Sequence, residues 1–221
     1  MRNSWIFILL TLFTINSKAQ IGSVIGSKNG NKKVVAKTKK PLQFSTEKLA
    51  YKITRNAKTE KQKVEAISNW IGHNISYDNE LRLSKALQKE IYTSESNVIK
   101  NVLERNMALC GGYAFLFKSL CNDVGISAVS IHGFTRNYSA EISNREKPNH
   151  TWNAVKIDGQ WQLLDLTWAI SYGNNKAMDD FWIFTNPTNF IYTHYPLEPK
   201  WTLLENDETV SISWFNSNNL K

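Results

Sequence analysis

The chain has 221 residues, enough for one domain with a sizeable hydrophobic core and too few for two large domains. Hydrophobic residues make up 42% of it, which argues against an intrinsically disordered protein. The net charge of +8 lies entirely in residues 1–40, and from residue 41 onward 19 basic residues balance 19 acidic ones, so the charge does not indicate a nucleic-acid-binding domain.

The first 19 residues have the pattern of an export signal. Arg2 precedes an apolar run from Trp5 to Ile15. Small residues follow at Ser17 and Ala19, where a signal peptidase requires them. The run is shorter than the roughly 20 residues that span a bilayer, so we expect cleavage after Ala19 and no integral membrane segment afterwards. The protein is therefore predicted to be exported, to the periplasm or the extracellular space.

Residues 20–44 differ in composition from the rest of the chain. They are rich in Lys, Gly and Asn, which is typical of a solvated, flexible linker. No aromatic residue stands among the lysines before residue 41, so a surface for stacking nucleic-acid bases is not indicated. We interpret residues 20–44 as a basic flexible linker and residues 45–221 as one domain.

The first part of this domain is predicted to be helical. Apolar residues recur at helical spacing, as Val64, Ile67 and Ile71 do in the second helix. The predicted helices, in chain order, cover residues 45–57, 59–74, 79–92 with less regular spacing, 94–105, and 110–122.

The second part of the domain is predicted to form β-strands. Residues 126–134 are rich in β-branched side chains, and Asp158 and Gly159 are a strong signal for a tight hairpin turn within residues 150–168. A further strand is predicted at residues 180–184. Helices followed by antiparallel strands indicate an α+β domain in which the helices pack on an antiparallel sheet.

The two cysteines, Cys110 and Cys121, are predicted to be free. On one helix they lie eleven residues apart, a rise of about 16 Å. A disulfide needs Cα atoms within about 7 Å of each other, so they cannot pair. Cys121 falls on the apolar stripe of its helix and is interpreted as a core residue.

Cys110 stands where its helix begins. The free N–H groups and partial positive charge of a helix N-terminus favour a thiolate and can stabilise an oxyanion. Gly111 and Gly112 leave room for a substrate backbone to reach the sulfur, and Tyr113 and Trp152 are further candidates for the substrate-binding cleft. The alternative is a buried cysteine beside a glycine-lined packing contact.

The hairpin can supply a base for this thiolate. A two-residue turn at Asp158 and Gly159 would place Trp152 opposite Asp165 and His150 opposite Thr167. His150 and Asp165 would then be diagonal neighbours on one face, about 7–8 Å apart. A carboxylate bonded to one imidazole nitrogen fixes the tautomer and leaves the other nitrogen for the thiol, so the spacing predicts a Cys110–His150–Asp165 triad.

The motifs around these residues resemble those of the transglutaminase-like superfamily. Cys110 stands in LCGGYA, His150 in NHTWN and Asp165 in DLTW, in the order of the family. The segments WIGHNISYD and NPTNFIYTHYPLEPKW are similar to the branch with the kyphoscoliosis peptidase and fungal cytokinesis proteins. The resemblance implies a papain-like α+β fold with acyl transfer through a Cys110 thioester. Residues 107–109 depart from the Gly-containing turn of many relatives.

Two functions from different classes remain open. The first is a secreted thiol enzyme, a cysteine peptidase, amidase or transglutaminase-like acyltransferase acting on peptide or isopeptide bonds, with hydrolysis favoured over crosslinking. Its partners would be protein or peptide substrates, with cell-wall peptide as one candidate. The second is a non-catalytic module that binds peptides in the same cleft. No cofactor is expected, and no metal site either, because His73, His132 and His194 do not pair with Cys or carboxylates at ligand spacing.

Overall fold

The computed structural model of the protein describes residues 45–136, 147–174, 177–205 and 210–217. The predicted signal peptide and basic linker both lie outside the described residues. Within the described ranges, no helix is long and apolar enough to cross a membrane.

The helical part of the domain begins with short amphipathic helices that have polar caps. Thr59 and Gln62 form a capping box at the start of the second helix, and Ser84 and Ser94 cap the fourth and fifth. Two short strands, β1 (Ser76–Tyr77) after the second helix and β2 (Met107–Ala108) before the sixth, pair in parallel. The elements are α1 (Glu47–Thr54), α2 (Glu60–Asn74), β1 (Ser76–Tyr77), α3 (Asn79–Leu83), α4 (Lys85–Ile91), α5 (Glu95–Arg105), β2 (Met107–Ala108) and α6 (Cys110–Asp123).

The remaining part contains a five-stranded sheet with the strand order β6-β5-β4-β3-β7. All neighbouring pairs are antiparallel, so the predicted α+β fold class is confirmed. The elements are β3 (Ala128–Thr135), β4 (His150–Ile157), β5 (Gln160–Leu164), α7 (Leu166–Tyr172), a 3₁₀ segment (Asp180–Trp182), β6 (Ile183–Thr185), α8 (Pro187–Phe190), β7 (His194–Pro196), a second 3₁₀ segment (Pro199–Thr202) and α9 (Ile212–Ser217).

Helix α6 lies at the centre of the domain. It packs on β3 and β4 on one side and on α1, α2 and α5 on the other. Its apolar side chains point in all directions, as in a helix buried on every face, and Leu116, Phe117 and Leu120 are completely buried. The side-chain amide of Asn153 in β4 donates a hydrogen bond of 3.0 Å to the carbonyl oxygen of Ala114, so helix and sheet are fixed against each other.

The hairpin follows the predicted register only in part. Asp158 and Gly159 both have positive φ, 48° and 84°, as a tight hairpin turn requires, and pairing runs from Ile157–Gln160 to Asn153–Leu164. The predicted pairing of His150 with Thr167 is wrong, because α7 begins one residue after Asp165. The segment at residues 180–184 is likewise a 3₁₀ turn that leads into the short strand β6.

Candidate active site

Cys110 is the first residue of α6 and a free, partly exposed thiol. The backbone just before it is held in place by the parallel pair β1 and β2, where the N–H of Asp78 donates to the carbonyl of Ala108 at 3.0 Å. Leu109 precedes the helix and makes no side-chain cap hydrogen bond. The N–H groups of the first turn therefore receive no cap from the chain just before them, which is the condition for stabilising an anion there.

The two glycines after Cys110 lie against different neighbours. A Cβ on Gly112 would lie 2.9 Å from Cγ2 of Val102 and 3.0 Å from Cβ of Ala108, so this glycine lets α6 pack against α5 and β2. A Cβ on Gly111 would lie 3.0 Å from a ring carbon of Tyr92, whose side chain covers the start of α6. Gly111 faces the cleft, whereas Gly112 faces the core.

Tyr92 is a site residue that the sequence analysis missed. Its hydroxyl oxygen lies beside the first turn of α6, 3.3 Å from the position of a Cβ on Gly111, and the nearby N–H of Gly112 acts on its pKa. Burial and then the negative charge of Cys110 raise the pKa of the Tyr92 hydroxyl. The hydroxyl therefore keeps its proton and can donate it to a nearby anion. Tyr92 follows α4, far from the motif that carries the cysteine, and no local pattern marks it.

His150, the first residue of β4, connects the thiol to the carboxylate. Its Nε2 lies 2.6 Å from Oδ2 of Asp165, and its ring lines the same cavity as Cys110, whose charge acts on it. Because Nε2 is bonded to Asp165, Nδ1 is the nitrogen left for the thiol. Burial alone would lower the pKa of this imidazole, but the charge and hydrogen bond of Asp165, with a smaller contribution from Cys110, raise it to about 10. His150 is thus held as an imidazolium.

Asp165 is completely buried between β5 and α7. Its Oδ1 accepts the N–H of Trp168 at 3.1 Å and thereby caps α7, while Oδ2 faces His150. Burial would raise the pKa of this carboxyl, but the neighbouring charge of His150 outweighs it and holds the pKa below its usual range. The structure thus brings together the three residues predicted as a triad. Asp165 faces His150 from the cap of α7, and not from a strand paired with β4 as predicted.

A second imidazole binds the same carboxylate oxygen. Nε2 of His194, in β7, lies 2.9 Å from Oδ2 of Asp165, so the expectation that His194 pairs with no carboxylate is wrong. Burial lowers the pKa of His194 to about 4 although the hydrogen bond and charge of Asp165 oppose it. We call Asp165, His150 and His194 the Asp165 cluster.

The Asp165 cluster also satisfies a first criterion for a metal site, because its three donor atoms lie within 4.8 Å of one another. The distances of 2.6 and 2.9 Å between nitrogen and Oδ2 are those of hydrogen bonds. Two ligands of a tetrahedral zinc ion would lie about 3.3 Å apart, since each bond is about 2.0–2.1 Å long. The arrangement fits shared protons better than a shared metal ion.

A cavity of about 410 Å³ opens beside Cys110. Its lining includes Cys110, Gly111 and His150. The other lining residues are Gln88, Tyr92, Leu109, Phe115, His132, Pro148, Asn149 and Thr151. Tyr113 and Trp152, predicted as substrate-binding residues, are both 1% exposed. The hydroxyl of Tyr113 donates to the carbonyl of Ile75, and the ring of Trp152 stacks behind His150 at 6.1 Å between centroids. These two side chains support the site from the core.

The chain is similar in sequence to a known protein family and to several known proteins. Residues 47–166 match the family model described as the transglutaminase-like superfamily. Kyphoscoliosis peptidase from Mus musculus is 29% identical over 161 residues, 69% of this chain and 23% of that protein. Cytokinesis protein 3 from Saccharomyces cerevisiae is 26% identical over 114 residues, 48% of this chain and 13% of that protein. A solved structure of a TGase is 22% identical with a TM-score of 0.44, covering 62% of this chain and 34% of that one. The chain thus spans about a quarter or less of the two curated relatives.

Proposed function

Since the chain belongs to the transglutaminase-like superfamily, we propose that it is a thiol enzyme that cleaves or transfers acyl groups at peptide or isopeptide bonds. The observation that carries the proposal is that Cys110, at the start of a buried helix, lines one cavity with His150, whose Nε2 lies 2.6 Å from Oδ2 of Asp165. A nucleophile, a proton donor and an orienting carboxylate are the parts that acyl transfer through a thioester requires.

The first half-reaction forms the thioester. The Cys110 sulfur attacks the carbonyl carbon of the amide, and the carbonyl oxygen takes up the negative charge beside the N–H groups of the first turn of α6. The imidazolium of His150 gives its proton to the amide nitrogen, so the C–N bond breaks and the amine leaves. Asp165 keeps the His150 ring oriented through both steps.

The second half-reaction releases the acyl group. Water or an amine attacks the thioester carbon, neutral His150 accepts the proton of the attacking group, and the C–S bond breaks. Water gives hydrolysis, and an amine gives a new amide. We propose hydrolysis as the main outcome, because water is far more concentrated than amines around a dilute exported protein. Export itself follows from the predicted signal peptide at residues 1–19. The proposed substrates are proteins or peptides, including cell-wall peptides.

The test of this proposal is to trap the acyl-enzyme. The mature protein would be incubated with a library of peptides and cell-wall fragments, and its intact mass measured after rapid acid quenching. We expect an added acyl mass on the wild type and on Cys121→Ala, and none on Cys110→Ala. An acyl mass on Cys110→Ala would contradict the assignment of the nucleophile.

Alkylation separates the enzyme from a peptide-binding module that uses the same cleft. Iodoacetamide should modify Cys110 of the native protein faster than it modifies glutathione at neutral pH, and the rate should fall in His150→Asn because the positive charge of the imidazolium is lost from the cavity. Equal slow rates in the wild type and in His150→Asn, together with peptide binding that survives in Cys110→Ala, would favour the binding module.

A further inference from the structure

His194 is a buried ionisable residue that the proposed mechanism leaves without a role. Its side chain is fully buried, and its Nε2 shares Oδ2 of Asp165 with His150. Buried polar groups placed this closely cost free energy unless each of them is satisfied. The hydrogen-bond geometry around His194 shows how this one is satisfied.

The neighbours of His194 define where its proton lies. Asp165 is an acceptor only, so Nε2 of His194 must carry a proton at the distance of 2.9 Å. Its Nδ1 lies 2.7 Å from the hydroxyl of Thr193, which has one proton and two acceptors within reach, this nitrogen and the carbonyl oxygen of Phe190 at 3.2 Å. The shorter distance favours donation to Nδ1. Burial in turn keeps a second proton off the ring and leaves it neutral at neutral pH. His194 is therefore a neutral imidazole with its proton on Nε2.

The carboxylate of Asp165 is consequently held from three directions. The N–H of Trp168 binds Oδ1, while His150 and His194 both bind Oδ2. Rotation of the carboxylate would break bonds on both oxygens. We infer that His194 is a positioning residue, one that fixes the Asp165 carboxylate so that His150 presents its other nitrogen to the Cys110 sulfur. This inference rests on the proposed function of the same site.

The fold brings His194 to this position through a close contact between two strands. Thr135 of β3 pairs with His194 of β7, and Gly133 pairs with Pro196. A Cβ on Gly133 would lie only 2.2 Å from the backbone oxygen of Tyr195, so β7 can approach β3 because this residue is glycine. The ring of Phe190 stacks on His194 with 4.0 Å between centroids and fixes the orientation of the imidazole.

The experiment compares two replacements of the same ring. His194→Phe keeps an aromatic ring against Phe190 but removes the donor to Asp165, whereas His194→Gln keeps an N–H donor at a similar reach. We expect kcat of His194→Phe to fall about 10–100-fold with KM unchanged within about twofold, as for other groups that orient a catalytic residue. His194→Gln should recover most of the loss. Equal kcat in the wild type and His194→Phe, or equal losses in both variants, would overturn the inference.

A second variant guards against simple loss of folding. Thr193→Val removes the hydroxyl that faces Nδ1 of His194 but leaves the hydrogen bonds among the three members of the Asp165 cluster in place, and it should lower kcat less than His194→Phe does. The melting temperature of each variant is measured in parallel. If kcat per folded molecule stays at the wild-type value while the melting temperature falls, His194 is only structural and the inference is wrong.

A spectroscopic measurement tests the inference even if the wild type forms no acyl-enzyme. In protein labelled with ¹⁵N-histidine, NMR should assign His194 as the neutral tautomer with its proton on Nε2 at pH 7. His194→Phe should change the ¹⁵N shifts of His150, because the hydrogen bond between His150 and Asp165 loses its support. A His194 proton on Nδ1, or unchanged His150 shifts in the variant, would overturn the inference independently of activity.

Discussion

The first and the last turn of α6 each carry a cysteine, and the two thiols lie in different surroundings. Cys110 is partly exposed and lines the cavity together with His150. Cys121 is completely buried in the apolar core, and burial raises the pKa of its thiol. The same side chain on the same helix thus acts as a candidate nucleophile at one end and as a small core residue at the other. Position relative to the helix N-terminus and the Asp165 cluster makes the difference.

The sharpest test of this comparison exchanges sulfur for oxygen at each end. Cys110→Ser should lower activity at least about 10⁴-fold, because a hydroxyl is a far weaker nucleophile beside an imidazolium, and it should leave the melting temperature nearly unchanged. Cys121→Ser should keep kcat but lose about 1–3 kcal/mol of stability, since its hydroxyl would be buried in an apolar core. Peptide kinetics and thermal unfolding measure the two effects. Activity retained in Cys110→Ser would place the nucleophile elsewhere.

The next largest loss of activity is expected from a change at Asp165. In Asp165→Asn the side-chain oxygen can still cap the N–H of Trp168, so the amide NH₂ faces the two histidines. His150 must then accept at Nε2 and carry its only proton on Nδ1, so the nitrogen that faces Cys110 cannot take up the proton of the thiol. We expect kcat to fall about 10²–10⁴-fold, by analogy with the effect of this change in a serine protease triad.

The matched control for this change is Asp158→Asn at the exposed hairpin turn. Asparagine tolerates the positive φ of that position, so activity should not change. Equal activities of the wild type and Asp165→Asn in acyl-enzyme formation would show that the carboxylate does not orient His150.

Local signals were sufficient for the parts of the site that lie close together in the chain. Helical periodicity and the glycines after Cys110 indicated α6, and the turn residues Asp158 and Gly159 fixed the hairpin register. The predicted pairing failed at Asp165, because an aspartate that ends a strand can equally cap a helix. The sequence thus predicted correctly that His150 and Asp165 interact, but it placed Asp165 in a strand pair and not at the cap of a helix.

The residues that the sequence did not predict come from distant segments. His194 stands in a short strand whose pairing with β3 depends on Gly133, and neither a periodicity nor a motif spacing connects them. Tyr92 follows a short helix and meets the start of α6 only in the folded chain. Both contacts depend on tertiary packing between segments far apart in sequence, which local patterns do not encode.

Acid should affect the surroundings of Cys110 and Cys121 differently, because the Asp165 cluster lies near Cys110. His194 has a lowered pKa of about 4, so it is harder to protonate in the folded protein than in the unfolded one. Its contribution to stability is present above about pH 6.5 and is lost as the pH falls toward 4. The raised pKa of His150 acts in the opposite direction, stabilising below about pH 6.5 and losing this effect as the pH rises through about 10.

The variant His194→Phe isolates the contribution of His194 to the loss of stability in acid. Between pH 6.5 and 4 its stability should fall less steeply than that of the wild type, with an accumulated difference on the order of 3 kcal/mol. Denaturant unfolding at several pH values measures this difference, and Cys121→Ala serves as a control that should parallel the wild type. Parallel curves for the wild type and His194→Phe would show that His194 binds protons equally well in both states.

The smallest expected effect concerns the Tyr92 hydroxyl beside the first turn. Because Tyr92 lines the cavity with Cys110 and its hydroxyl lies beside the first turn of α6, the hydroxyl proton can stabilise the anion formed on the substrate carbonyl. Tyr92→Phe should therefore lower kcat about 10-fold with little change in KM, which corresponds to one hydrogen bond of about 1.4 kcal/mol made in the transition state. Tyr51→Phe, on the exposed surface of α1, is the matched control and should have no effect. A change confined to KM would instead assign Tyr92 to substrate binding.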